Sequence, residues 1–345
     1  MHRRALVAMS LSAALWAGGA APAVDIQLTV DDIPDMNQAR MNHFQVPVDA
    51  SRVAVFGGHG PGFVSLDSGE IYDTNTRTWT SFSLNSPRDY SAGTFLPDGR
   101  FFLAGGAYDL GVAPGYNTAE LFDFATTSST STANNMISQR SSAFAAPLAN
   151  GKVLITGAWY NETGAAYGEV YDPTNQTFTA TGNLVAPRAY NFSAPLDDGT
   201  ALVFGGSGVR GGYVETVELY DPSTNEFSSV RTSLFPSENG WVTSSNHLHR
   251  PLADYTLPRG HYLYYARKAE DSINYYRLFT VDPSQGTIQQ LPLGFDPPAG
   301  PPDYLQEPLL SPDGTQIWWP PVHIEGSARS LRFHVIAVSS GALVG

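Results

Sequence analysis

Arg40, Arg88, Arg140 and Arg188 share one recurring position, eight residues before the short polar turns that begin at Val48, Leu96, Leu148 and Leu196. Two weaker turns, at Leu257 and Ser311, have His249 and Asp303 at the same offset. A guanidinium is a planar fork that fits a carboxylate or another oxyanion through two parallel hydrogen bonds. Four of them converging on one opening would attract an anionic ligand, and a His249–Asp303 side would orient it. The competing expectation is internal. Glu70, Glu120, Glu169 and Glu218 also recur, so each arginine could instead pair with a glutamate of an adjacent repeat and serve the scaffold. Spacing leaves both open.

A second set of candidates is irregular, as a binding surface must be. The stretches that follow the apolar runs differ from repeat to repeat and carry His59, Trp159, Tyr160, Glu162, Arg267, Glu270 and Glu325. Aromatic faces beside amides and carboxylates suit sugar rings, whose apolar faces stack while their hydroxyls need fixed partners. His247 and His249 alternate as residues on one face of a strand do, but two imidazoles without a third ligand do not make a metal centre. No metal or other cofactor is expected. The chain has no cysteine, which excludes disulfides, thiolate metal sites and a cysteine nucleophile. No nucleophile elbow, phosphate loop or HExxH helix occurs.

The elements that would position these residues repeat. GEVYDPTNQTFT at residue 168 returns 49 residues later as VELYDPSTNEFS. Related stretches begin at Ile71 (IYDTNTRTW) and Leu121 (LFDFATTSS), with weaker ones at Phe279 (FTVDPSQGTI) and Phe333 (FHVIAV). Before each lies an apolar run, often closed by Gly-Gly, as in VAVFGG, FFLAGG and ALVFGG, and before that a turn such as LPDG or LDDG. Each unit reads as a four-stranded antiparallel meander. The Asp caps its turn through the side chain while a following Pro presets φ. Trp79, Phe178 and Phe227 can return across that hairpin to Tyr72, Tyr171 and Tyr220. One such sheet cannot bury both faces, so the units must stack around an axis. The expected fold is all-β, a six-bladed β-propeller whose recurring arginines ring one mouth of the central channel.

Arg, then Gly-Gly, then Glu-x-Tyr-Asp-Pro, then an aromatic resembles the kelch repeat, the family that includes the central domain of galactose oxidase. The resemblance covers nearly all of the chain after residue 23 and is strongest in the first four units. Galactose oxidase chemistry uses copper and a tyrosine crosslinked to cysteine; with zero cysteines this chain cannot build that cofactor. The expected function is non-catalytic recognition of a carbohydrate or protein partner through the loop face. The alternative is an enzyme acting on an acidic sugar, similar to the periplasmic kelch-type sialic acid mutarotases. That resemblance implies a carboxylate and an arginine assisting ring opening, with Glu162, Glu270 or Glu325 as acid or base.

Composition supports this architecture and supplies an address. Of 345 residues 42% are apolar and 15% charged, with 33 Gly, 25 Pro, 17 Tyr and 18 Phe, a balance that favours short strands and turns. MHRR, an apolar run and Ala21-Pro22-Ala23 match a secretory signal over 1–23, leaving one propeller domain over 24–345 in a secreted or periplasmic monomer. Removing Arg3 and Arg4 leaves 17 basic against 32 acidic residues, a charge of −15, which repels nucleic acid and anionic lipid. No segment is long and apolar enough to span a membrane. The last unit lacks a recognisable outer strand, so Val24–Val30 is expected to complete it beside Leu331–Val338, closing the ring.

Overall fold

Each recurring unit folds as its turn residues and alternation require. The computed structural model describes residues 34–230, apart from 41, 50, 74, 108–114, 160, 209–213 and 215, together with the further strands named below. A short pair, β1 (Val7–Ala8) and β2 (Asp31–Asp32), precedes the first unit. Then come β3 (Phe44–Pro47), β4 (Arg52–Phe56), β5 (Ser68–Asp73) and β6 (Thr78–Ser83). The second unit holds β7 (Asp89–Phe95), β8 (Phe101–Ala107), β9 (Ala119–Asp123) and β10 (Ser128–Ser131). The third holds β11 (Phe144–Pro147), β12 (Val153–Thr156), β13 (Tyr167–Asp172) and β14 (Thr177–Asn183), with one helical turn, α1 (Glu162–Ala166), before β13. The fourth holds β15 (Phe192–Pro195), β16 (Ala201–Phe204), β17 (Val217–Asp221) and β18 (Glu226–Arg231). In each of these units the four strands pair antiparallel in chain order.

The turns work through the predicted side chains. Asp73, Asp123, Asp172 and Asp221 each accept a hydrogen bond from the backbone N–H two residues on, at 2.7, 2.7, 2.9 and 2.8 Å. The first hairpins use the same device at Asp49, Asp98, Asn150 and Asp198. Across the outer hairpins, Tyr72, Tyr171 and Tyr220 stand opposite Trp79, Phe178 and Phe227, with ring centroids 5.0, 4.8 and 5.0 Å apart. Cross-strand aromatic pairs of this kind fix register.

Stacking of the sheets follows from strand alternation. In β8, Phe101 and Leu103 join Phe44, Phe56 and Phe82 of the first unit, whereas Phe102 and Ala104 face Ala145, Val153 and Tyr171 of the third. Leu154 and Val170 of the third unit meet Ala201, Val203 and Tyr220 of the fourth in the same manner. Successive side chains of a strand point to opposite faces, so a middle strand apolar at every position is one buried between two neighbouring sheets. The first strands β3, β7, β11 and β15 lie next to one another, as do the outer strands β6 with β10 and β14 with β18. Sheets stacked face to face with their first strands innermost are the blades of a β-propeller.

Farther along, β19 (Tyr262–Glu270), β20 (Ile273–Asp282) and β21 (Thr287–Gln290) form a three-stranded sheet, so the stretch at Phe279 is an outer hairpin as its motif suggests. Four more strands, β22 (Leu309–Leu310), β23 (Gln316–Trp319), β24 (His334–Ser339) and β25 (Ala342–Val344), form the last sheet. This corrects the closure expected from the sequence. The outer strand of the last sheet is β25, not Val24–Val30, and those seven residues lie outside the described ones. Ser339 pairs with Ala342, so only Ser340 and Gly341 separate the strands. A two-residue connection ending in Gly is a tight-hairpin signal, and it identifies a strand that carries no Asp-Pro motif.

Candidate functional site

The Gly-Gly segments, the variable stretches after them and the chain leading into each innermost strand lie at one end of the blades, because an even number of antiparallel strands separates them. The recurring arginines are also there, but they are not an open arc. Arg40, Arg88, Arg140 and Arg188 are buried, none more than 4% exposed. Each is ion-paired: Arg40 to Glu70 at 2.9 Å, Arg88 to Glu120 at 2.7 Å, Arg140 to Glu169 at 3.0 Å, and Arg188 to Glu218. Burial pulls the pKa of all four guanidiniums below its ordinary value, and the carboxylate partner pushes it back up. Of the two arrangements that spacing left open, these arginines take the internal one, as four neutralised pairs rather than an electropositive ring. The pairs also lie within one blade each, rather than between adjacent blades.

The remaining donors and acceptors of each pair explain why these residues recur. The glutamate accepts the backbone N–H groups of the chain leading into its blade, Asn37 and Gln38 at Glu70, Ile137 and Ser138 at Glu169, Val185 and Ala186 at Glu218. The arginine donates to the first carbonyl of the Gly-Gly segment: Gly57, Gly105, Gly157 and Gly205, at 2.8, 2.6, 3.1 and 3.2 Å. The next residue of that segment then donates its N–H to the arginine carbonyl of the following blade, Gly58 to Arg88, Gly106 to Arg140 and Ala158 to Arg188. A Cβ at Gly57 would stand 2.0 Å from the Arg88 carbonyl oxygen and one at Gly105 2.3 Å from that of Arg140, so glycine is required for blades to approach this closely.

Two residues beyond each arginine the backbone turns left-handed, at Asn42, Tyr90, Ser142 and Tyr190, with φ of 54, 53, 55 and 55°. Here the conformation repeats while the side chain varies. The left-handed region costs an L-residue roughly 1–2 kcal/mol, and asparagine adopts it far more readily than a bulky residue. Ser142 donates its N–H to the Tyr90 carbonyl and Tyr190 donates to that of Ser142, both at 2.9 Å, forming a backbone belt across three blades. Asn42 Nδ2 donates to the Tyr90 hydroxyl at 2.9 Å. Burial, the neighbouring Tyr190 and Asp89 push the Tyr90 pKa up, so its phenol is neutral at any physiological pH. The half-buried Trp159 ring lies tilted against that of Tyr190, with centroids 5.2 Å apart. His59 Nδ1 is 3.4 Å from Asp89 Oδ2, and both side chains are buried.

Of the residues singled out in the sequence, the structure places Trp159 at this mouth and Glu162 at the start of α1, which Asn161 caps by accepting the N–H of Gly164. Arg267 falls in β19. Tyr160, His249 and Asp303 lie outside the described residues. Among the described residues no cluster of three or more His, Cys, Asp or Glu could hold a metal, and no helix is long and apolar enough to cross a membrane. Sequence reasoning missed Tyr90, Tyr190 and Asn42. Their signal was present, as a position of changing identity two residues from a constant one.

Blades of four antiparallel strands, the first four each locked by a buried Arg–Glu pair beneath a glycine segment, define a β-propeller. The comparisons support a propeller of kelch repeats: residues 188–233, the fourth unit, match the Kelch motif. Among solved structures, "Structure of YjhT" superposes with a TM-score of 0.59 at 13% identity, covering 90% of this chain and 99% of that one. At that identity the likeness establishes the fold. No curated protein matches the chain significantly.

Proposed function

We propose that the protein is an exported six-bladed propeller, a single domain over residues 24–345, that recognises a carbohydrate or a protein partner without catalysis through its Gly-Gly face. One observation carries this reading. At the left-handed position two residues after each arginine, a rigid repeated backbone presents Asn42, Tyr90, Ser142 and Tyr190, a set with no common architectural demand on the side chain. Trp159 extends the same surface, and Tyr160, Glu162, Arg267, His249 and Asp303 are its further candidate contacts. The four arginines serve as braces beneath it. Fold alone does not assign the ligand; the aromatic and amide chemistry supports a sugar.

Glycan-array binding by the parent and by Trp159→Ala tests the proposal. Defined glycans bound by the parent and lost in the variant, at unchanged melting temperature, support it; binding that is indifferent to Trp159 places recognition elsewhere. A second reading, proton transfer on an acidic sugar, draws on the buried His59–Asp89 pair. Accelerated anomer exchange followed by proton NMR, abolished in His59→Gln, would favour it over simple binding.

A further inference from the structure

The belt of left-handed residues is more specific than a generic aromatic mouth. Its sequence around the axis is large, small, large: Tyr90, Ser142, Tyr190, tied together by the two backbone hydrogen bonds. Ser142 is buried at 5% exposure while both tyrosines remain half-buried, so a small buried residue lies between two larger, partly exposed ones. Asn42 donates to the Tyr90 hydroxyl, and Trp159, whose backbone N–H donates to the Ser141 carbonyl, lies with its ring against that of Tyr190. A bulky side chain held at positive φ over-determines its position, and such strain persists where something else favours the residue. Asparagine, present at the equivalent position 42, would meet the backbone demand more easily.

Charge narrows the occupant. Arg88, Arg140 and Arg188, the cations nearest this belt in sequence, are each consumed by a glutamate of their own blade. Asp89 is buried beside His59. Among the described residues the belt thus offers aromatic faces, phenolic and amide groups, and no net positive charge for an acidic sugar.

We propose that Tyr90 and Tyr190 form the two walls of a stacking site for an uncharged pyranose, seated over Ser142, with Asn42 and the phenols binding its hydroxyls. This rests on the mouth being the recognition face and specifies its ligand class. Apolar C–H faces of a neutral pyranose satisfy the rings, and its equatorial hydroxyls replace water at the polar groups.

Saturation-transfer NMR and calorimetry with cellobiose and methyl β-galactoside, against glucuronate and N-acetylneuraminate, test it on the full chain and on Tyr90→Asn, Tyr190→Asn and the double variant. The neutral sugars should bind the parent, and each single substitution should weaken them about tenfold, the scale of one lost aromatic contact. Melting temperatures should hold or rise, because asparagine accepts the backbone conformation. Neutral-sugar binding unchanged in the double variant overturns the site, and so does a fall in melting temperature that accounts for the loss. Binding of the acidic sugars alone overturns the ligand class. No neutral-sugar binding to the parent overturns the inference too, yet Trp159-dependent glycan or protein binding would leave the broader recognition reading standing.

Discussion

Arg88 and Tyr90 are two residues apart and answer to different demands. Arg88 is buried against Glu120, has counterparts in three other blades, and is tied to the scaffold by its ion pair with that carboxylate and its hydrogen bond to the Gly105 carbonyl. Tyr90 sits where the backbone repeats its φ in four blades but the side chain is free to change. The difference teaches where to look for function in a repeat protein. A chemically conspicuous residue that recurs has been absorbed by the scaffold, whereas an awkward residue at a recurring conformation has a reason of its own.

The largest effect should come from breaking one brace. Arg140→Ala leaves Glu169 buried without its cation, and removing one partner of a buried pair costs about 3–5 kcal/mol; chemical denaturation should show it as a lower midpoint. The double replacement Arg140→Met with Glu169→Leu should recover much of that loss, since the desolvation penalty goes with both charges. If Arg140→Ala were instead neutral in stability and reduced ligand binding, the division between scaffold and mouth would fail.

A smaller loss is expected where blades meet. Gly105→Ala forces a Cβ towards the Arg140 carbonyl at a φ of 62°, and a left-handed non-glycine residue alone costs about 1–3 kcal/mol. Ser142→Gly, in the belt itself, should by contrast leave the melting temperature nearly unchanged.

The smallest effects are electrostatic and belong to the far end of the blades. Burial raises the pKa of Tyr171 and Tyr220 from 10.0 to about 12. Their contribution to stability is complete below pH 10 and is lost as pH rises through about 12. On the acid side, Arg100 and Lys152 hold Asp98 and Asp172 below the ordinary 3.8, so their contribution is present above that value and fades as pH falls through the folded pKa. Melting temperature measured against pH should fall at both extremes. Tyr171→Phe should flatten the alkaline limb, and an unchanged limb would move the titration to other groups.

The blades, their order and their hairpin turns were legible because each rests on local chemistry: Asp73 and its counterparts cap a turn with a side chain two residues away, and Tyr72 and Trp79 face each other across it. The closing hairpin at Ser339–Ala342 is not legible from the recurring motif, because it carries no Asp-Pro turn and its strands are joined by a two-residue Ser-Gly connection. Within the candidate site, the position of Trp159 was legible and the roles of the arginines were not.

What the sequence determined by itself was the period, the strand alternation and the equivalence of Arg40, Arg88, Arg140 and Arg188, all of them properties of neighbours along the chain. Tertiary structure alone decided what the equivalence means. Whether four guanidiniums face a ligand or their own glutamates depends on distances across 29 to 32 residues, and burial selects the paired arrangement because an unpaired charge beneath the Gly-Gly segments would be desolvated without compensation.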